Sequence, residues 1–327
     1  MNNSETIHVL FTPDEGFAMP YGVLMTSLLE NNRDSHFCFW ILTDRLSINN
    51  VKHFEETATF YNAGLNIIYV QNDFYPYLPL KENDRFAAPG YYRLFAADLL
   101  PDTVSKVLYL DGDMIVMGDI KMLWLTNLES CSIAGVVDVH DKIHAKRLQM
   151  NGRYINSGML LINLDYHRKY NLVDKYKERL KYIHFHRDEF VFHDQDIFNY
   201  VCDGNMKYLS LRNNLMTSFL VEGINLQEFK NDSTKRLSIN QSIIHYTGYP
   251  KPWVTHYYNL PLTNEWQYYY QLSKWNGEQS GKKIPFWKRG LFFLLRILIK
   301  QKVIKQKREY RKIKDIDPDY KPHTLKQ

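Results

Sequence analysis

Short unbroken apolar runs alternate with stretches of helical spacing along the first part of the chain. Thr6–Thr12 (TIHVLFT) is a β-rich run, and residues 18–31 place Val23, Leu24, Ser27 and Leu28 on one side of a helix. His36–Thr43 (HFCFWILT) reads as a buried strand closed by Asp44, Ser47–Ala63 as a helix and Leu65–Val70 as a third strand. Strands separated by helices imply a parallel sheet covered on both faces, Rossmann-like in its winding. Further strands are expected at Val104–Leu110, Ile133–Val137, Gly158–Leu164 and Ser242–His245, and helices at Lys169–Lys181 and Asp194–Cys202. No GxGxxG follows the first strand, so a dinucleotide fingerprint is absent.

In open α/β sheets ligands gather outside the carboxyl ends of the strands. Asp14, Asp111, Asp113 and Asp138 each follow a predicted strand, and His245 ends one. Hard divalent cations favour carboxylate oxygens, and an added neutral imidazole suits Mn²⁺ better than Mg²⁺ or Ca²⁺. Four Asp-x-Asp triplets occur, starting at Asp111, Asp194, Asp315 and Asp317. The last two lie in a polar tail and read as solvated charges. Asp111-Gly112-Asp113 interrupts an otherwise apolar run, VLYLDGDMIV, which fits a ligand site or a tight Asp-Gly turn. Asp194 and Asp196 open a helix, where an acid also serves as a cap. His245 alone fits a satisfied core histidine, and Lys251 between two prolines fits an exposed loop cation.

The order of these pieces changes the reading. FTPD (Phe11–Asp14), YYRL (Tyr91–Leu94), KVLYLDGD (Lys106–Asp113), INSGMLLINL (Ile155–Leu164), HDQD (His193–Asp196) and HYTGYPKPW (His245–Trp253) resemble, in this order, the retaining glycosyltransferases of family 8. That group includes glycogenins and bacterial lipopolysaccharide galactosyl- and glucosyltransferases. The resemblance covers residues 5–275 and implies a GT-A fold: a Rossmann-like, mostly parallel sheet flanked by helices. It implies that Asp111, Asp113 and His245 ligate Mn²⁺, with Mg²⁺ as a substitute, and that the metal bridges the phosphates of a UDP-hexose. Lys251 and the main chain at Gly248 would hold those phosphates, Asp14 and Phe17 the uracil, and Arg93, Asn156, Ser157, Asp194 and Gln195 the donor sugar. Gln195 and Asp194 are the candidate catalytic residues, and Asp138 would face the acceptor or the sugar. Many relatives carry Ala where Ser157 stands. The implied reaction moves galactose or glucose to a saccharide or glycolipid acceptor in cell-surface polysaccharide synthesis. Its alternatives are an inverting GT-A transferase or sugar nucleotidyltransferase, and a catalytically inactive UDP-sugar-binding or membrane-adaptor protein.

Charge sharpens the domain picture. Of the net +5, residues 282–312 carry +11 and residues 313–327 sum to zero, so the first 281 residues carry −6. An acidic body argues against nucleic acid as a partner. The chain divides into a transferase domain, 1–281, and a basic amphipathic helical tail, 282–327. Arg289, Arg296, Lys300 and Lys307 fall within roughly 20° of one line on a helix, beside Leu291, Phe292, Leu294, Leu295, Leu298 and Ile299. That pattern fits attachment to an anionic membrane surface. Cys38, Cys131 and Cys202 form no CxxC, and no signal peptide or spanning segment is evident. A cytoplasmic protein, peripheral on the inner face of the plasma membrane, is expected.

Overall fold

The computed structural model describes residues 5–71, 75–80, 88–186, 192–222, 224–226, 237–249, 251–253, 260–278 and 310–324. The basic helix expected at 289–307 lies outside the described residues. Strands are β1 (Ile7–Phe11), β2 (Phe37–Thr43), β3 (Gly64–Tyr69), β4 (Lys106–Leu110), β5 (Met114–Val116), β6 (Ile133–Val137), β7 (Ile155–Asn163), β8 (Met206–Tyr208), β9 (Leu215–Met216) and β10 (Ile243–His245). Helices are α1 (Ala18–Glu30), α2 (Ile48–Phe60), α3 (Pro89–Tyr92), α4 (Ala96–Leu99), α5 (Lys121–Trp124), α6 (Asp141–Arg147), α7 (Leu164–Lys169), α8 (Leu172–Phe185), α9 (His193–Cys202), α10 (Thr263–Leu272) and α11 (Ile313–Ile316).

Among the described residues the strands form two sheets. The larger has seven strands in the order β3-β2-β1-β4-β7-β6-β8, and the smaller has three in the order β5-β10-β9. In the larger sheet β1 pairs parallel with β2 and β4, β2 with β3, and β6 with β8. β7 runs antiparallel between β4 and β6, so the sheet is mixed but mostly parallel. Alternation along the strands feeds a core on each face. Val9, Phe11, Leu108 and Leu110 enter one, while Leu10, Val107 and Tyr109 enter the other.

α1 lies against β5 and α10, and every position from Ala18 to Leu29 is buried, a wider face than the expected stripe. Its buried hydroxyls are satisfied: Thr26 Oγ1 donates to the Gly22 carbonyl, and Ser27 Oγ donates to Leu24 O while accepting from Val116 N of β5. A Cβ at Gly22 would stand 2.1 Å from the Trp275 ring, so only glycine lets that indole seat on the helix.

β7 begins at Ile155 rather than at Gly158. Asn156 and Ser157, which precede the expected strand, continue it, with their side chains satisfied by the site. The register between β6 and β7 shifts there: Gly135 faces Leu160 while Val136 faces Asn156, leaving Ser157–Met159 unopposed on β6. Such irregularities re-aim side chains beside functional sites.

Asp317 corrects the expectation for the tail. It is 3% exposed, and its carboxylate accepts from Ile239 N at 2.8 Å. Tyr320 donates to the fully buried Glu265, which also meets His323. Asp315 remains exposed, as expected. Residues 310–324 therefore dock on the elements just before β10 and on α10.

Candidate active site

The ends of β4, β6 and β7 meet β10 of the small sheet on one rim. Asp111 leaves β4 with its N–H bonded to Gly158 O at 2.7 Å, and Asp113 O accepts from Tyr246 N at 2.9 Å. The Asp-Gly-Asp turn is thus pinned to both sheets. Gly112 passes so close to Tyr21 that a Cβ would lie 2.7 Å from its ring, and a Cβ on Gly158 would lie 2.3 Å from His245 Cε1. Both glycines stand where neighbours leave no room for a side chain.

Asp111, Asp113 and His245 each offer a ligand atom within 4.8 Å of the others. His245 Nε2 lies 3.1 Å from Asp113 Oδ1 and 4.0 Å from Asp111 Oδ2. Two carboxylates and an imidazole suit a divalent cation with mixed oxygen and nitrogen preference. Lys251 Nζ donates to Asp113 and to Tyr246 O. Burial works to raise the Asp113 carboxyl, yet Lys251 and His245 together outweigh it and hold it well below the usual carboxylate range.

Arg93, 3% exposed, holds the rim together. Nη1 donates to Asp111 Oδ1 at 2.7 Å, Nη2 lies 2.5 Å from Asp194 Oδ2, and the guanidinium carbon sits 4.4 Å from the Tyr109 ring centre. Burial alone would disfavour its charge, but Asp194, Tyr109 and Asp111 outweigh that and raise its pKa well above the ordinary value. Asp194 is thus an ion-pair partner, 2% exposed, with no side-chain cap at the start of α9. Asp196 reaches back to Phe192 N at 3.1 Å, so the capping reading belongs to it.

Gln195 Oε1 accepts from Ser157 N at 2.9 Å and Asn156 Nδ2 at 3.0 Å. Asn156 Nδ2 also lies 3.2 Å from Asp138 Oδ2, whose other oxygen accepts from His140 N. Asp14 Oδ1 accepts from Phe17 N at 2.8 Å, and Phe17 meets Trp253 edge-on at 5.7 Å. Burial raises the Asp14 carboxyl against the pull of the Phe17 N–H. A cleft of about 190 Å³ runs from Asp14 and Phe17 past Tyr21 and Arg93 to Asp111 and Asp113. Gly248 adopts φ +73°, a left-handed conformation that suits glycine.

Two participants were not singled out from the sequence. Tyr109 donates to Asp111 Oδ1 at 2.5 Å, and its place two residues before an acid in an apolar strand was the available signal. Asn214, fully buried, lies 3.0 Å from His245 Nδ1 and 2.9 Å from Asn156 Oδ1. Nothing in the stretch around Leu211–Leu215 marks it.

The model of the glycosyl transferase family 8 matches residues 8–256, which contain every element of this rim. The chain belongs to glycosyl transferase family 8. It is similar to general stress protein A of Bacillus subtilis, 26% identical over 289 residues that cover 84% of this chain and 97% of that protein. It is also similar to a lipopolysaccharide 1,2-glucosyltransferase of Escherichia coli, 27% identical over 288 residues, 84% of this chain and 81% of that protein. Among solved structures it resembles the galactosyltransferase LgtC in complex with donor and acceptor sugar analogues, with a TM-score of 0.70 and 22% identity over 87% of this chain and 99% of that one. The family 8 chain thus has the GT-A fold. Among the described residues no helix is long and apolar enough to cross a membrane.

Proposed function

We propose that this chain transfers glucose or galactose from a UDP-sugar to a saccharide or glycolipid acceptor in cell-surface polysaccharide synthesis, with retention of the anomeric configuration. One observation carries the reading: the Asp111–Asp113–His245 cluster and the Asp138–Asn156–Gln195 group belong to one hydrogen-bonded system in a family 8 chain. The Escherichia coli relative, a lipopolysaccharide glucosyltransferase, supports the hexose and the acceptor class.

The donor set fits Mn²⁺, with Mg²⁺ as a substitute, and a bound cation supplies Lewis acidity that offsets charge on the departing diphosphate. Lys251 adds a point charge beside it, and the backbone at Gly248 allows close approach. Asp14 and Phe17 take the uracil at the mouth of the cleft. Arg93, Asn156 and Ser157 line the sugar, with Asp194 holding Arg93 in place. Gln195 Oε1 already accepts from Ser157 and Asn156, and an amide oxygen is a weak nucleophile. Front-side displacement is therefore favoured: the bond from the anomeric carbon to the diphosphate oxygen breaks as the acceptor oxygen adds on the same face. The acceptor proton passes to the leaving phosphate, and Gln195 stabilises the oxocarbenium-like charge from the opposite face. Asp138 orients the acceptor hydroxyl or the sugar.

The site is read as cytoplasmic, with the basic residues of the tail, 282–327, drawing it to an anionic membrane surface. Co-sedimentation with anionic liposomes tests that attachment, using Arg289, Arg296, Lys300 and Lys307 changed together to Gln. Equal binding by variant and wild type would remove it. The enzymatic reading is tested by UDP release from a panel of UDP-sugars, with Mn²⁺ and with EDTA, followed by NMR of the liberated sugar. Mn²⁺-dependent turnover of one UDP-hexose, with the α-anomer appearing first, is expected. No release and no UDP binding would leave an inactive adaptor, and the β-anomer appearing first would make the enzyme inverting.

A further inference from the structure

Side-chain amides link the Asp111–Asp113–His245 cluster to the sugar-facing group, and backbone donors fix the direction of each. The Gly158 N–H can only donate, and it meets Asn156 Oδ1 at 3.0 Å. That atom is therefore the carbonyl oxygen, so the Asn214 atom 2.9 Å away is the amide nitrogen. Asn214 consequently turns its oxygen toward His245 Nδ1 at 3.0 Å, which places a ring proton on that nitrogen. The Ser157 N–H likewise identifies its Gln195 partner, 2.9 Å away, as Oε1, and Asn156 Nδ2 donates to the same oxygen at 3.0 Å. The two ends agree on one polarity running from β7 to the imidazole. Asn214 is fully buried, so water does not compete for these bonds.

We infer that Asn214 is a positioning residue that presents the Nε2 lone pair of His245 to a divalent cation and ties that ligand to Asn156. The inference rests on the transferase reading. Its physical basis is that the group bonded to one imidazole nitrogen decides which tautomer the other offers to a metal. Two neighbouring partners make the arrangement directional: Asn156 needs a donor from Asn214, and His245 needs an acceptor.

The test is Mn²⁺ binding to the full chain by calorimetry, without sugar nucleotide, alongside turnover of UDP-hexose, for wild type, Asn214→Leu and Asn214→Asp. Leucine removes both bonds at similar volume, so the Mn²⁺ dissociation constant should rise about 10–100-fold, with turnover falling too. Aspartate keeps an acceptor for His245 but sets an oxygen against Asn156 Oδ1. Mn²⁺ should bind it as tightly as wild type or more so, while kcat falls and the donor KM changes little. Wild-type Mn²⁺ affinity in both variants would overturn the inference, as would equal losses of affinity in both, which a general packing defect produces. Thermal melts show whether the leucine variant folds. If it does not, unchanged turnover in Asn214→Asp would overturn the inference by itself. A wild type that neither binds Mn²⁺ nor releases UDP would instead remove the transferase reading beneath it.

Discussion

The two sheets contribute to one rim by different means. The seven-stranded sheet places Asp111, Asp138 and Asn156 at the ends of or within strands of five to nine residues (β4, β6 and β7) with a core on either face. The small sheet carries His245 on strands of three, three and two residues, braced by Asn214, Tyr246 and the docked segment 310–324. Both sheets are buried, but the short strands of the small one offer few ladder bonds, so individually placed polar contacts carry more of its side of the cation cluster. Hydrophobic burial is spread over many residues, whereas a buried hydrogen bond can be removed by one substitution. The small sheet is therefore where single changes should loosen the site while leaving the larger frame intact.

The largest effect is expected where the sheets join. Asp113→Asn weakens the contacts to Lys251 and His245 together, and UDP release should fall on the order of 10²–10³-fold, the scale seen when one stabilising group for developing charge is lost. Arg93→Lys keeps the charge but cannot reach both Asp111 and Asp194. A drop of about 10²-fold in kcat/KM is expected from misplacement alone, measured by steady-state turnover. Asp317→Ala leaves the buried Ile239 N–H without its acceptor and should cost about 1–3 kcal/mol in urea unfolding. Hydrogen exchange should then quicken at Ile243–His245 and stay slow at Val107–Leu110. Equal acceleration in both would erase the contrast between the sheets.

A separate effect, confined to the large frame and spread over several pH units, comes from pH. His167 on α7 is buried beside Tyr176, and burial lowers its pKa from 6.5 to about 3. Above pH 6.5 both folded and unfolded chains hold it neutral. Below that the unfolded chain takes up the proton first, so stability declines from pH 6.5 down to about pH 3, by at most about 1.4 kcal/mol per pH unit from this group. Denaturant midpoints measured across that window should flatten in His167→Gln; an unchanged slope would assign the loss to other groups.

The contrast between the sheets also explains what the sequence disclosed. Ile133–Val137 is a strand from end to end as expected, because five apolar residues in a buried strand leave one reading. Asp111, Asp113 and His245 stood out because polar groups interrupt or end apolar runs. β5 and β9 gave no such pattern, being too short to show a period. From its neighbours alone Asp317 reads as solvated, because its acceptor role depends on Ile239, far away in the chain. Asn214 gives no signal for the same reason: its two partners come from β7 and β10, and neither leaves a mark on its neighbours in sequence.

The junction of the two sheets is the proposed binding place of a divalent cation and, through it, of a UDP-sugar. Calorimetric titration of UDP into wild type and Asp111→Asn, each with Mn²⁺ and with EDTA, tests it most directly. Tight UDP binding by wild type only when Mn²⁺ is present, and weak binding by the variant in both conditions, is the predicted result. UDP binding that is equally tight with EDTA, or unchanged in Asp111→Asn, would contradict it.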